Sequence, residues 1–260
     1  MRETRIVVKF GIKQYIFVIH ELTAREIKRK YARSVLGIVW SVLNPLLFMI
    51  VMSLVFSGYT LNSTTYPVYY ITGFTMWTMF NTATTTSMTA FEDNKNLFQK
   101  TKLPRVIFVL SRDYTALVNL GFSCIALLIV LACFRVRLNW TVIIFFVDVI
   151  FEMIFSIGVS FILATIYVFY KDIKFLWRNF IVLLVHMVAV YIPIERYPEN
   201  LHEITRMNPL YFYPNIARRC VLEGTYDIQE LKLMVWWAII VFTIGLLVFK
   251  FKENEIVKKL

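Results

Sequence analysis

The sequence predicts an all-α integral membrane protein. It comprises six transmembrane helices, an amphipathic cytoplasmic interface helix ahead of them, and short re-entrant outer helices before the last span. Three observations predict it. Of 260 residues 58% are hydrophobic and only 17% charged, too apolar for an ordinary soluble domain. Five cations, Arg25, Lys28, Arg29, Lys30 and Arg33, stop abruptly at an apolar run over residues 35–56, long enough to cross the ~30 Å hydrocarbon core of a bilayer. Basic residues also recur in every second connection between apolar runs, which assigns those connections to the cytoplasm.

Residues 9–31 precede the first span, with Ile12, Tyr15, Ile16 and Ile19 at helical spacing and Lys13, Gln14, His20 and Glu21 on other faces. Such a pattern suits a helix lying in the membrane interface. The first span covers 35–56 and the second 69–90, the latter rich in Thr, Met and aromatics. The third covers 114–134, the fourth 141–170, the fifth 176–192 and the sixth 233–249. The chain therefore divides into an interface segment (1–34), a six-span domain (35–250) and a cytoplasmic tail (251–260). Within the domain, prolines 193, 198, 209 and 214 punctuate an outer segment, 194–230. Two short helices are expected there, over 199–207 and 215–222, the second with Ile216, Cys220 and Val221 on one face. That segment is expected to dip back towards the membrane as an outer gate.

The loop charges agree. Lys95, Lys100, Lys102 and Arg105 follow the second span, Lys171, Lys174 and Arg178 the fourth, and Lys250, Lys252, Lys258 and Lys259 the sixth. Both termini are thus placed inside. The net charge of +11 sits beside apolar spans rather than in a basic domain, so it argues for topology and against nucleic acid. Cys124, Cys133 and Cys220 form neither a disulfide framework nor a metal pattern. No G-x-x-x-x-G-K-[ST] run is present, so no cofactor is expected in this chain, and ATP hydrolysis is not expected of it.

Asp148 and Glu152 lie four apart on the fourth span and share a face. Intramembrane carboxylates should face protein or water and have a partner: a structural contact near the outer end of the bundle, with Arg135 or Arg137, is the preferred reading, and a polar patch on the conduction route or a charge pair linking subunits is the functional one. His186, inside the fifth span, is a third intramembrane polar residue. On the second span Tyr70, Phe74 and Trp77 fall at i, i+4 and i+7, and Asn81 and Thr85 extend the stripe. With Asn44 of the first span they are candidates for lining a sugar-conducting channel, where ring faces pack on C–H surfaces and amides and hydroxyls exchange hydrogen bonds. Helix packing explains the stripe equally well. Glu92, Asp93, Lys95, Leu97, Phe98 and Lys100 occupy a short cytoplasmic loop whose charges suit a short helix dipole, and whose Leu97 and Phe98 are exposed unless something covers them.

Tyr31, Arg33, Ser34, Leu36, Gly37, Trp40, Ser41, Leu43, Asn44, Pro45 and Leu46 carry a resemblance. They are similar to the opening of the membrane permeases of ABC-type exporters of lipid-linked polysaccharides and teichoic acids. Tyr170-Lys-Asp-Ile-Lys174 and Asn208-Pro-Leu-Tyr211 are weaker echoes. The resemblance implies a bacterial cytoplasmic-membrane homodimer driven by two separate ATPase subunits, which hold ATP and magnesium. It implies that the loop at 92–102 docks on them. An exporter of a drug or another lipid on the same fold is the runner-up. A membrane-embedded transferase built on Asp148, Glu152 and His186 is the rival from another class.

Overall fold

The computed structural model describes residues 11–32, 34–60, 65–101 and 103–259, with the side chains of 57–60 and 98–100 outside the description. Every regular element among the described residues is helical. Helix α1 (Ile12–Tyr31) starts where the Gln14 side chain accepts from the Gly11 N–H at 3.0 Å. Its Leu22 is buried and Tyr15, Val18 and Ile19 pack beside it, while Ile12, Ile16 and Phe17 are exposed. One face of α1 therefore rests on the protein and another presents apolar side chains outward, as an interfacial helix does.

A turn through Gly37, whose φ of +49° suits glycine, leads into α2 (Val39–Thr60). Exposed Leu47, Ile50, Val51 and Leu54 form its outer face. Helix α3 (Tyr66–Ser87) packs against α2, α6 (Val106–Cys133), α7 (Val142–Phe169) and α10 (Phe212–Arg218). Its polar content survives burial because Thr72, Thr75 and Thr84 donate to the carbonyl four residues back, at 2.7, 2.7 and 2.8 Å. Two short helices, α4 (Ala90–Asp93) and α5 (Lys95–Lys100), connect α3 to α6.

Helix α7 packs along α11 (Ile228–Lys259). A Cβ on Gly158 would lie 2.5 Å from the Val241 carbonyl oxygen, and one on Gly245 2.1 Å from that of Gly158. Only glycines let the two backbones approach so closely. Among the described residues, four helices are long and apolar enough to cross a membrane: α2, α6, α7 and α11. The tail expected after residue 250 is the continuing end of α11, which runs to Lys259.

The fifth apolar run differs from the expectation. Helix α8 covers only Ile173–Leu184, about 18 Å at the α-helical rise. A 3-10 turn, His186–Val188, and Ala189 at φ +54° then break it. Tyr69 and Tyr66 hydroxyls donate to the carbonyls of Ala189 and Tyr191 at 2.8 and 2.9 Å and hold that break against α3. Beyond it come α9 (Glu199–Met207), as the spacing predicted, then α10, and a π-helical turn, Arg219–Glu223, closed by Gly224 at φ +65°. One large apolar cluster joins α3, α7, α10 and the outer half of α6. A second, around Phe91, Phe108, Phe161 and Phe249, joins α1 to α4, α6, α7 and α11.

Candidate functional site

A groove of about 380 Å³ opens between the end of α1 and helices α2, α3 and α6. Polar side chains are set into a partly apolar wall: Lys30 and Tyr31 at the end of α1, Ser41 and Asn44 on α2, Thr78 and Thr82 on α3, Asn119 and Ser123 on α6, with Pro45, Met79, Ala116 and Leu120 between them. Trp40 and Phe74 add ring faces. Tyr31 and Ser41 are hydrogen-bonded hydroxyl to hydroxyl. The carbonyl oxygen of the Asn119 amide is buried with no hydrogen-bond partner among the described residues. Hydroxyls, amides and ring faces on one wall are the chemistry that holds a sugar or a polar lipid headgroup.

Of the expected channel residues, Asn44 and Phe74 lie on this groove and the others do not. Tyr70 is fully buried, stacked on Phe74 at 5.2 Å and Tyr191 at 6.0 Å, and Trp77 is buried beside Phe80. Thr85 is exposed and donates to Asn81 at 3.1 Å. The row of α3 that lines the groove is Phe74, Thr78 and Thr82. Thr78 and Thr82 follow Phe74 at i+4 and i+8, and Asn119 and Ser123 are themselves four apart. That spacing on two neighbouring spans is the signal that locates the wall.

The connection between α3 and α6 is tied to the bundle at its α1 end. Arg112, nearly buried, forms ion pairs with Glu26 of α1 and with Asp93 at 2.8 Å. Arg25 donates to Asn94, and Thr23 of α1 donates to the Ser111 carbonyl at 3.1 Å. Glu92 accepts from the Tyr167 hydroxyl at 2.8 Å and pairs with Lys171 at 3.0 Å. The Tyr167 hydrogen bond, then that from Lys171, hold its carboxyl below the usual carboxylate range. Leu97 corrects the expectation of an exposed knob: it is half-buried against the second cluster. Lys95 is exposed. The side chains of Phe98 and Lys100 lie outside the described residues.

In the 194–230 segment Ile216, Cys220 and Val221 are all buried in the large cluster. Thr141 donates to the Cys220 carbonyl at 2.7 Å. Sequence reasoning missed the central residue. Arg218 is buried and donates to the carbonyls of Tyr69, Ala189 and Val190 at 3.0, 2.8 and 2.9 Å. Its guanidinium carbon lies 3.7 Å from the centre of the Tyr69 ring. It occupies the space left open by Gly73, where a Cβ would sit 2.0 Å from the guanidinium.

Asp148 and Glu152 are fully buried on α7, but Arg135 and Arg137 are exposed and pair with neither. The expected ion pair is therefore absent among the described residues. His186 is exposed at the end of α8, its ring nitrogen 3.1 Å from the Val182 carbonyl. No hydrogen bond or ion pair among the described residues joins it to the two carboxyls, so the three do not assemble into one site.

The chain is 28% identical to the O-antigen export system permease protein RfbA of Klebsiella pneumoniae over 96% of its own length and 99% of that protein's. It is 29% identical to RfbA of Myxococcus xanthus over 70% of each chain. To the polysialic acid transport protein KpsM of Escherichia coli it is 19% identical, over 94% of its length and 96% of that protein's. The family model described as ABC-2 type transporter matches residues 18–221, from within α1 through α10, and the chain belongs to that membrane family.

Proposed function

We propose that this chain is the membrane subunit of an ATP-driven exporter that moves lipid-linked cell-surface polysaccharide across the bacterial cytoplasmic membrane. The carrying observation is the groove between α2, α3 and α6, whose wall sets hydroxyls and amides among apolar side chains and ring faces, in a chain related along 96% of its length to an O-antigen permease. Two copies form the conduit, and two separate ATPase subunits, which bind ATP and magnesium, drive it. The chain crosses six times with both termini inside. Helix α3 supplies the second crossing. Helix α8, with the turn and the irregular stretch after it, supplies the fifth. The distribution of Lys and Arg supports this orientation. The 194–230 segment then re-enters the membrane from outside, where irregular backbone is tolerated because protein surrounds it.

The α4–α5 connection is the docking surface. It is short, anchored to α3 and α6, and cross-linked to α1 through Arg112, so a push on it moves three helices together. Deleting the gene removes surface polysaccharide and leaves lipid-linked polymer inside the cell. The wild-type gene restores export, whereas a Thr78→Leu, Thr82→Leu, Asn119→Leu variant inserts normally and restores little. Normal surface polysaccharide in the deletion strain would overturn this function. Normal export by the inserted triple variant would remove the groove from the route.

A further inference from the structure

Asp148, Glu152, Ser156 and Ser160 recur every four residues along α7 and form a buried column, each at most 1% exposed. The inner end is satisfied: Ser160 donates to Asp113 at 2.9 Å and Ser87 to the same carboxyl at 3.4 Å. The outer end is not. Both oxygens of Asp148, one of Glu152 and the hydroxyl of Ser156 have no hydrogen-bond partner among the described residues.

The Tyr213 hydroxyl, on α10 and likewise buried, has none either. The Tyr213 ring packs on Phe155 of α7, three residues on from Glu152, at 5.5 Å, and its hydroxyl forms no hydrogen bond with either carboxyl. Cys220, on the π turn after α10, is buried as well, its carbonyl held by Thr141 at the start of α7. Among the described residues no hydrogen bond reaches either oxygen of Asp148.

Nearby cations are committed elsewhere. Arg218 binds three carbonyls, and Arg219 binds Glu230 at 3.0 Å. Because the pair is sealed within a single chain, a second copy cannot reach it without displacing α10. Two ionised carboxylates one helical turn apart, with neither cation nor donor, are not sustainable in such a place. A carboxyl there loses its charge by taking a proton.

We propose that Asp148 and Glu152 form a proton-binding site inside each protomer, charged with at least one proton at neutral pH while α10 is seated over it. When the 194–230 segment lifts and water reaches the pair, both carboxyls ionise and the proton leaves. Proton occupancy and the seated position of α10 therefore stabilise each other.

The test is infrared spectroscopy of the full-length permease in lipid, which does not depend on its transport substrate. At neutral pH the wild type shows the C=O stretch of a protonated carboxylic acid, shifted down in D₂O. An Asp148→Asn, Glu152→Gln variant lacks that component. Asp113, unchanged in both, cancels in the difference. Retained protection of Cys220 from maleimide confirms that the variant is folded, and wild-type spectra from neutral to alkaline buffer give an independent reading if it is not. A wild-type spectrum without the protonated band at neutral pH would overturn the proposal. So would a band that sodium chloride abolishes, which would make the site a cation site.

Discussion

Arg218 carries a charge into the interior with no acid beside it; three carbonyls and the Tyr69 ring take that role. Two of those carbonyls follow the broken end of α8; that of Ala189 also accepts from the Tyr69 hydroxyl, whereas Arg218 supplies the donor to that of Val190. Arg218→Met removes that donor at about 1–3 kcal/mol. It is expected to lower the thermal unfolding midpoint in detergent and expose Cys220 to maleimide in a Cys124→Ser, Cys133→Ser background. Gly73→Ala reaches the same endpoint from the opposite side, by forcing a methyl into the guanidinium, at roughly the 1–3 kcal/mol of an overpacked core. Unchanged Cys220 labelling in both would show that Arg218 does not hold the segment down. None of this was legible in the sequence. There Arg218 is one of four outer-loop arginines, and its partner Tyr69 lies 149 residues away. By contrast Ile216, Cys220 and Val221 were legible as a buried face, because helical spacing of apolar residues survives in a short irregular segment.

Among the elements, α7 and α11 depend on Gly158 and Gly245. Gly158→Leu is expected to separate the two helices and yield a protein that inserts but unfolds at a lower temperature. Gly121, on α6, meets nothing where its Cβ would be, so Gly121→Ala is the neutral comparison. The α4–α5 connection carries the next prediction. Arg112→Met disconnects α1 from Asp93 and should lower export about fivefold or more, the low end of ordinary coupling free energies, while the ATPase still co-purifies. Loss of co-purification would instead make Arg112 a folding residue. The Glu92 link depends on pH with a definite sign. Its carboxyl is held below the usual range by Tyr167 and Lys171, so its contribution is present above that range and fades as pH falls through the folded value. Glu92→Gln should abolish this acid dependence of the local amide exchange. Element type was largely legible: α1, α9 and the long apolar helices follow their periodicity. The break after Leu184 was not, because residues 180–192 are apolar but for His186 and nothing in their hydropathy marks a left-handed Ala189.

Across the whole molecule, the crossing pattern is the claim most open to direct measurement. Single cysteines at Asn200 and Thr225 in an otherwise cysteine-free chain are expected to label from outside intact cells, and those at Asn96 and Asn254 only after permeabilisation. Two reversals would sink the six-span arrangement. The groove was legible only in part. Asn44 and Phe74 belong to it, but Tyr70 and Trp77 face the core, because aromatics serve packing and lining alike and the sequence does not record which helix face meets a neighbour.

Helix α11 has a consequence in time as well as in space. Its 32 residues span about 48 Å, well beyond what a bilayer needs. The surplus places Phe249 between Phe91 and Phe161, seats Ile256 in the same cluster, and pairs Glu253 with Arg105 at 2.9 Å. The keystone of the surface formed by α1 and the α4–α5 connection is therefore a segment synthesised after the helices that it holds together. A chain stopped before Phe249 has those helices but an unfinished platform.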